Sequence, residues 1–571
     1  MLTKLGVRNF KLFEDVEVDL ADRVVFVGPN NSGKTSALQA LALWNAGVRR
    51  WVEKRGEGNV PKERSGVTLN RRDLIAVPVP AANLLWRDLH VREGYREDGK
   101  QRTRNVLIEI DVEGVDQGKA WRSCLEFDYA NEESFYCRSR LGPDGNRLEV
   151  PAAAAAVRLA YLPPMSGLAS NETRLDEGAI GVRIGEGRTA EVLRNLCWQA
   201  LQDSDGKWNR IAERMTSLFG VTLDEPRYIK ERGEIAMSYR TAGGVRLDLS
   251  ASGRGQQQTL LLLAHMAANP GSVLLLDEPD AHLEILRQRQ IYQVLTETAA
   301  ETRSQIIAAS HSEVILNEAA DRDTVVAFVG KPHRIDDRGS QVLKALKEIG
   351  FEHYAQAEET GWVLYLEGST DLAILRAFAE NLDHRARTAL ERPFVHYVGN
   401  QPSKAQEHFY GMREAKPNLL GLALYDRLDA PPPADPNLAQ HVWRRREIEN
   451  YLCQEAALLA WAEAQGRQVG ELFAGSWRET MESAIQEIAA ALSALGKSDP
   501  WSADLKASGE FLDPLFRKFY EKLELPNLMR KTDYHTLAPF LPAEAHDAEV
   551  REVLDAIAGV ATQARPRGTD E

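Results

Sequence analysis

Short apolar runs that end in glycine, proline or an acid recur along the chain, and they predict its strands. Residues 2 to 20 alternate apolar and polar positions with two breaks, the period expected of two half-buried strands. Arg23-Val24-Val25-Phe26-Val27 is a β-branched run that predicts a buried strand, and Ser36 to Trp44 is apolar at helical spacing. Residues 105 to 130 predict two more strands. Pro151 to Val157 is an alanine run that reads as a helix start or a linker. Tyr161-Leu162-Pro163-Pro164-Met165 predicts a buried strand stopped by prolines. Residues 188 to 220 have helical periodicity, broken near Asp205-Gly206, and form a helical lobe against which a second subunit is expected to pack. Ser272 to Asp277 and Gln305 to Ser310 are continuous apolar runs of the buried-strand kind. Near Gly361 the pattern resets. Trp362–Leu366, Phe394–Gly399 and Leu419–Tyr425 predict strands, with helical segments such as Leu372–Leu382 between them, which argues for a parallel α/β sheet.

The turns after these strands carry the candidate chemistry. Gly28-Pro29-Asn30-Asn31-Ser32-Gly33-Lys34-Thr35 reads G-x-x-x-x-G-K-T between a strand and a helix, the setting a phosphate-cradling P-loop needs. Glycines let the backbone close round an anion, and free N–H groups at the helix start point at the phosphates. Asn30, Asn31, Ser32, Gly33, Lys34, Thr35 and Ser36 are therefore assigned to ATP binding, with Lys34 on the β- and γ-phosphates and Thr35 on Mg²⁺. Val273-Leu274-Leu275-Leu276-Asp277-Glu278 is the Walker B pattern, which sets Asp277 beside Mg²⁺ and Glu278 beside the attacking water. In the second half, Glu367 follows one predicted strand and Asp426 another, so carboxylates are expected to converge at one sheet edge. Hard oxygen ligands of that kind suit Mg²⁺ or Mn²⁺.

Totals narrow the class. At 571 residues the chain exceeds one hydrophobic core, so roughly two to four domains are expected. A net charge of −14 argues against an electrostatic nucleic-acid coat, and any such site must be local. One local candidate is the arginine- and lysine-rich stretch from Arg49 to Arg104, which includes Lys62 and Arg64 and has Trp51 and Trp86 among its charges. A solvated surface and a phosphate-backbone contact are equally open readings of it. The four cysteines are scattered, with no C-x-x-C pair, which fits a reducing cytoplasm and argues against structural zinc and disulfides. No signal-peptide core and no apolar run of ~18 residues is present, so no membrane association is expected. The tail Ala564 to Glu571 is expected to be disordered.

The order P-loop, Ser252-Gly253 turn, Asp277-Glu278-Pro279 and strand-ending His311 resembles the ABC-type ATPase head of the SMC and recombination-repair class. That resemblance implies that Ser252 and Gly253 cap the γ-phosphate of an opposite subunit, that Glu278 is the general base and that His311 is the switch histidine. It also implies head-to-head dimerisation. The second half resembles the Toprim fold: Glu367, Asp371 and Asp426 match its metal-binding acids, and Asp429 stands at i+3 where the family has a second Asp at i+2.

An ABC-type head, a Toprim-like part and then Arg446-Glu447-Ile448-Glu449-Asn450-Tyr451-Leu452 together resemble the OLD (overcoming lysogenization defect) nucleases, a layout shared with the Gabija nuclease subunit and some retron effectors. The resemblance implies that Glu447 or Glu449 helps hold a second metal. It also implies a charge-stabilising lysine, for which Lys531 is the first choice and Lys506 the second. The implied fold is α/β, with an ABC-type ATPase head over residues 1–350, a Toprim core over 358–460 and helical additions over 461–571. The implied activity is an ATP-regulated, metal-dependent DNA endonuclease or nickase in anti-phage defence. Its implied partners are double-stranded DNA, further copies of itself, and a defence-system protein or retron RNA/DNA. The alternative is an ATPase sensor or scaffold with an inactive Toprim-like module. A recombination-repair ATPase leaves the acids from Glu367 to Asp429 unexplained. A topoisomerase needs a DNA-gate domain that about 100 residues beyond the Toprim-like part do not hold, and a primase reading lacks a zinc module.

Overall fold

The structure is a computed structural model that describes residues 1–55, 66–97, 100–142, 146–169, 171–203, 205–320, 322–335 and 349–566. Lys62 and Arg64 of the basic stretch, and residues 567–571 of the tail, lie outside the described residues. The chain divides into two compact units, Met1–Lys347 and Glu348–Glu571.

The first unit holds a six-stranded sheet in the order Leu159–Leu162, Val273–Asp277, Gln305–Ser310, Arg23–Val27, Thr324–Ala327, His333–Arg334. The first five strands are mutually parallel and the last is antiparallel. Val273–Asp277 and Gln305–Ser310 are buried along their whole length, which is why they are apolar without alternation. Parallel pairing places the ends of these strands at one edge, so Gly28, Asp277, Glu278 and His311 gather there although the sequence separates them widely.

A second, antiparallel sheet runs Phe13–Asp19, Leu2–Phe10, Ile108–Asp116, Lys119–Asn131, Ser134–Ser139, Val67–Asn70. Helix Lys34–Arg55 packs into the core that this sheet shares with the first one. It outruns the predicted Ser36–Trp44 because Trp44, Val48 and Trp51 carry its buried stripe another two turns.

Both tryptophans of the basic stretch are consequently core residues. Trp51 is buried, and Trp86 is buried with its indole N–H donated to the Val106 carbonyl, so neither offers a stacking surface for a base. Several arginines nearby are paired within the chain: Arg50 with Glu53 at 2.9 Å, Arg71 with Glu133 at 2.9 Å, Arg87 with Glu14 and Arg104 with Glu93. The nucleic-acid reading of this stretch thereby loses its aromatic component, and these four arginines are already neutralised within the chain.

The helical lobe consists of Leu193–Gln202 and Lys207–Phe219, separated at the left-handed Gly206. Its apolar face (Leu196, Cys197, Trp208, Ile211, Met215) is spent within the chain, in the core that also buries helix Arg254–Ala268.

The second unit is built on a four-stranded parallel sheet in the order Val395–Tyr397, Trp362–Leu366, Leu420–Tyr425, Leu438–Val442. Trp362, Leu364 and Leu366 face a core that also takes Phe378, Trp461, Met481, Phe516 and Leu554. Residues beyond 460 are therefore part of the same core as the sheet. Tyr365 points to the other face, where helix Pro402–Ala415 lies.

Candidate functional sites

At the first sheet's edge the P-loop is shaped by close backbone packing. Asn31 and Gly33 adopt positive φ (62° and 102°). A Cβ on Gly33 would lie 2.7 Å from the Phe13 ring, and one on Gly28 would lie 2.7 Å from the Phe328 carbonyl oxygen, so both positions require glycine. Asn30 and Asn31 are exposed at the loop tip, while Ser36 is buried.

The buried Lys34 ammonium donates to the Gly28 and Pro29 carbonyls at 2.7 and 2.8 Å. Burial lowers its pKa, opposed by the nearby Glu278 and Asp277 carboxylates. Thr35 Oγ1 donates to Asp277 Oδ1 at 3.1 Å, so the two residues assigned to Mg²⁺ are in contact. Tyr161, which the sequence reading did not single out as a site residue, donates its hydroxyl to Asp277 Oδ2 at 3.2 Å.

Two features fit a nucleotide–Mg²⁺ complex here. Burial pushes Asp277 up to about 6, with Glu278 adding repulsion and Thr35, Tyr161 and Lys34 opposing it, a balance that a divalent ion would tip towards the carboxylate. Ser32 Oγ in the loop is buried with no hydrogen-bond partner. Glu278 holds a left-handed backbone (φ 49°), and its N–H is donated to the Ala309 carbonyl of the neighbouring strand. That conformation costs a non-glycine residue of order 1–3 kcal/mol and aims its carboxylate off the strand end. Its Oε1 lies 3.9 Å from His311 Nδ1. Ser252 and Gly253 precede helix Arg254–Ala268; Ser252 Oγ donates to the Leu249 carbonyl at 2.7 Å, and Gly253 is exposed.

The second sheet's edge gathers acids from three separate segments. Glu367 follows strand Trp362–Leu366, and its N–H is donated to Asp371 Oδ2 at 3.0 Å, across the turn into helix Ser369–Asn381. Asp426 follows strand Leu420–Tyr425 and shares a hydrogen bond with the Glu367 carboxyl. Glu449 is buried in the turn Ile448–Tyr451, with Lys531 Nζ 3.3 Å from its Oε1.

The electrostatics tie the group together. Burial raises Asp371 to about 6, with Glu367 adding to it. Burial, then Glu447, raises Glu449 to about 7 despite Lys531, and Asp371 also acts on it. Asp426 is raised furthest, by burial, by the hydrogen bond with Glu367 and by the charges of Glu367, Asp371 and Glu449. Burial opposes the charge of Lys531, yet Glu449, Glu447 and Glu367 more than offset it and raise its pKa. Carboxyls crowded in this way repel one another, which divalent cations would relieve, but among the described residues no three of these acids bring ligand oxygens within 4.8 Å of one another.

Three residues named from the sequence fall elsewhere. Asp429 is exposed in the loop beyond the strand, and the carboxylates that act on Asp426 are Glu367, Asp371 and Glu449. Glu447 is buried and its carboxylate caps the turn Ile448–Tyr451 and accepts the Ser508 N–H, so its oxygens are committed to the fold and Glu449 is the one turned to the acids. Lys506 is exposed, its backbone N–H donated to Glu510.

These shifts have a pH consequence. Unfolded Asp and Glu titrate near 3.9 and 4.3, whereas Asp371, Glu449 and Asp426 hold their protons to higher pH in the folded chain. Such a group stabilises the fold fully below its unfolded pKa, and that contribution is lost as pH rises through its folded pKa. The thermal midpoint of the metal-free chain is therefore expected to fall from about pH 5 to about pH 8, and Mg²⁺ is expected to raise it more at the higher pH. Glu449→Gln should flatten the slope; an unchanged slope in that variant would show that these acids do not carry the effect.

Comparisons with known proteins bear on the first unit. Residues 1–54 match the family model "AAA ATPase domain", and residues 194–317 match "AAA domain, putative AbiEii toxin, Type IV TA system". The chain is 32% identical over 152 residues to a ribose import ATP-binding protein, RbsA 2, of Rubrobacter xylanophilus, covering 26% of this chain and 29% of that one. It thus spans under a third of the length of this curated relative. Similar solved structures include the SMC head domain from Thermotoga maritima (16% identity, 58% of this chain, 98% of that chain, TM-score 0.31). Another is an Smc head domain with an extended coiled coil bound to the C-terminal domain of ScpA, derived from Pyrococcus furiosus (14% identity, 61% and 99%, TM-score 0.34). Among the described residues no helix is long and apolar enough to cross a membrane. With the P-loop matched by one family model, and the Ser252-Gly253 turn, Walker B strand and His311 by the other, the first unit carries an ATP-binding ATPase domain of the ABC/AAA type.

Proposed function

We propose that the second unit is a Toprim-type, divalent-metal-dependent phosphodiesterase that cuts or nicks double-stranded DNA, and that the nucleotide state of the first unit controls it. The observation that carries this reading is the meeting of Glu367, Asp371, Asp426 and Glu449, from three separate segments, with Lys531 against Glu449. Those four acids would hold Mg²⁺ or Mn²⁺, which when bound supply an activated water and neutralise developing charge. Asp371 fixes the turn after Glu367 through the N–H it accepts. Glu447 fixes the turn that presents Glu449. Lys531 stays charged at a half-exposed position, where a phosphate oxygen can reach it.

On the ATPase side, Lys34 would exchange its two loop carbonyls for phosphate oxygens, and Thr35 and Asp277 would hold Mg²⁺. The exposed Ser252-Gly253 turn would meet the γ-phosphate of a second copy, in a homodimer or larger assembly. Bound γ-phosphate can hold a conformation that hydrolysis releases, which is how ATP would gate DNA access. The resemblance to OLD nucleases extends this to anti-phage defence, with a partner protein or a retron nucleic acid as the trigger.

The rival reading, a Toprim-like module that binds without cutting, is favoured by the exposure of Asp429. The full chain incubated with supercoiled plasmid separates the two. Relaxed or linear product that requires Mg²⁺ or Mn²⁺ and vanishes with chelator is the expected outcome; plasmid left intact with either ion, with and without ATP, would favour the scaffold.

A further inference from the structure

Three imidazoles of the second unit converge. His353 lies on helix Phe351–Thr360, His396 on the edge strand Val395–Tyr397 and His408 on helix Pro402–Ala415. One ring nitrogen from each lies within 4.8 Å of the others, and among the described residues this is the one trio of His, Cys, Asp or Glu side chains to meet that spacing. His408 Nε2 faces His353 Nδ1 at 3.0 Å. The His396 and His408 rings stack at 3.8 Å, inclined by 11°.

Two nitrogens each bound at about 2.0–2.1 Å to a tetrahedral ion stand roughly 3.3 Å apart, so an ion would replace the hydrogen bond that the facing pair now shares with little change in their separation. The outer shell is also built. Tyr365 is fully buried, and its hydroxyl lies 2.9 Å from His408 Nδ1. It pairs in register with His396 across the two strands. A partner on Nδ1 leaves Nε2 as the ligating atom once the ring takes the tautomer that donates to the tyrosine oxygen. His408 is buried, while His353 and His396 are partly exposed and give an ion a way in.

A stack of imidazoles joined by one shared N–H is the plain alternative and accounts for the facing pair and the parallel rings; to share one ion, the His396 or His408 ring must turn out of the stack, a rotation the nitrogen spacing within 4.8 Å leaves short. We propose that His353, His396 and His408 bind a divalent transition-metal ion, Zn²⁺ by ligand type and number, with a fourth position left to solvent. Imidazole suits zinc, whereas the carboxylates beyond Leu366 suit Mg²⁺ or Mn²⁺, so the two sites select different ions. The ion would clip helix Phe351–Thr360 to the edge strand and to helix Pro402–Ala415. The site rests on the fold of the second unit and not on the nuclease reading.

The test is metal analysis of the full chain after chelation and dialysis, followed by loading with Zn²⁺ and, separately, Co²⁺. About one tightly held Zn²⁺ per chain is expected, retained in Glu367→Ala and lost in the double variant His353→Asn, His396→Asn. Tyr365→Phe keeps the buried ring and removes the outer-shell partner, and is expected to weaken zinc roughly tenfold. Co²⁺ loaded into the wild-type chain should give the intense visible absorption of a four- or five-coordinate site, a readout independent of how the variants fold. Wild-type chain that retains no Zn²⁺, a Co²⁺ spectrum with only weak octahedral bands, or unchanged zinc in the double variant would each overturn the proposal.

Discussion

Glu278→Gln is expected to slow ATP turnover by about 10²–10⁴-fold, the range lost when a positioned general base is removed. Glu278 sits one residue past Asp277 in a strained left-handed conformation, and its carboxylate is turned towards His311. Glutamine keeps the shape and loses the base. Lys34, Thr35 and Asp277 are untouched, so nucleotide affinity should stay within about threefold; Lys34→Ala should instead lose nucleotide, because the P-loop lysine is the direct phosphate contact. Steady-state phosphate release and equilibrium binding of a fluorescent ATP analogue separate the two variants. Turnover by Glu278→Gln within about twofold of wild type would remove Glu278 from the role of base. If nucleotide state gates the second unit, the same variant held with ATP should also fix plasmid cleavage at one constant level.

Glu367→Ala is expected to abolish plasmid cleavage, a loss of about 10³-fold or more, while ATP turnover by the first unit is kept. Glu367 meets Asp426 through a hydrogen bond and Asp371 through its own N–H, so it links two of the other acids of the group. Its removal takes a ligand away and also relieves repulsion, so the chain should be no less stable without metal. Asp429→Ala, at an exposed position outside the group, should cut within about twofold of wild type if the acid group alone holds the ions. Equal losses in the two variants would show that the loop rearranges on metal binding. Full activity in Glu367→Ala would remove the Toprim assignment.

The parts of this architecture legible in the sequence are those where one short segment both forms an element and presents the chemistry. Val273–Asp277 is a buried strand because it is unbroken Val and Leu, and the acid at its end is where such a strand must stop. Gly28 and Gly33 are required by contacts at 2.7 Å, and their spacing is visible as a motif. Glu367 and Asp426 were legible for the same reason, each one residue past a buried parallel strand.

What was not legible depended on tertiary packing. Trp51 and Trp86 lie among arginines in the sequence, yet one continues a helix stripe and the other closes a core, and neighbours in sequence do not reveal that. Strand Leu438–Val442 went unread because its edge position tolerates Gln440 and His441. Glu447 and Glu449 are indistinguishable by spacing; the Ser508 N–H, some sixty positions on in the chain, commits the first and leaves the second to Lys531. Tyr161 could have been suspected as a residue at a strand end before two prolines, but its partner Asp277 is 116 positions away. The three histidines come from a helix, an edge strand and another helix, with no motif to join them.

The central claim is that the acids at the edge of the second sheet share divalent ions. It is tested most directly by an anomalous-difference map from crystals of the full chain grown with Mn²⁺. Manganese density in contact with the carboxylates of Glu367 and Asp426, and absent from crystals of Glu367→Ala, is the result predicted. Manganese at saturating concentration that leaves those two carboxylates without density between them would contradict it.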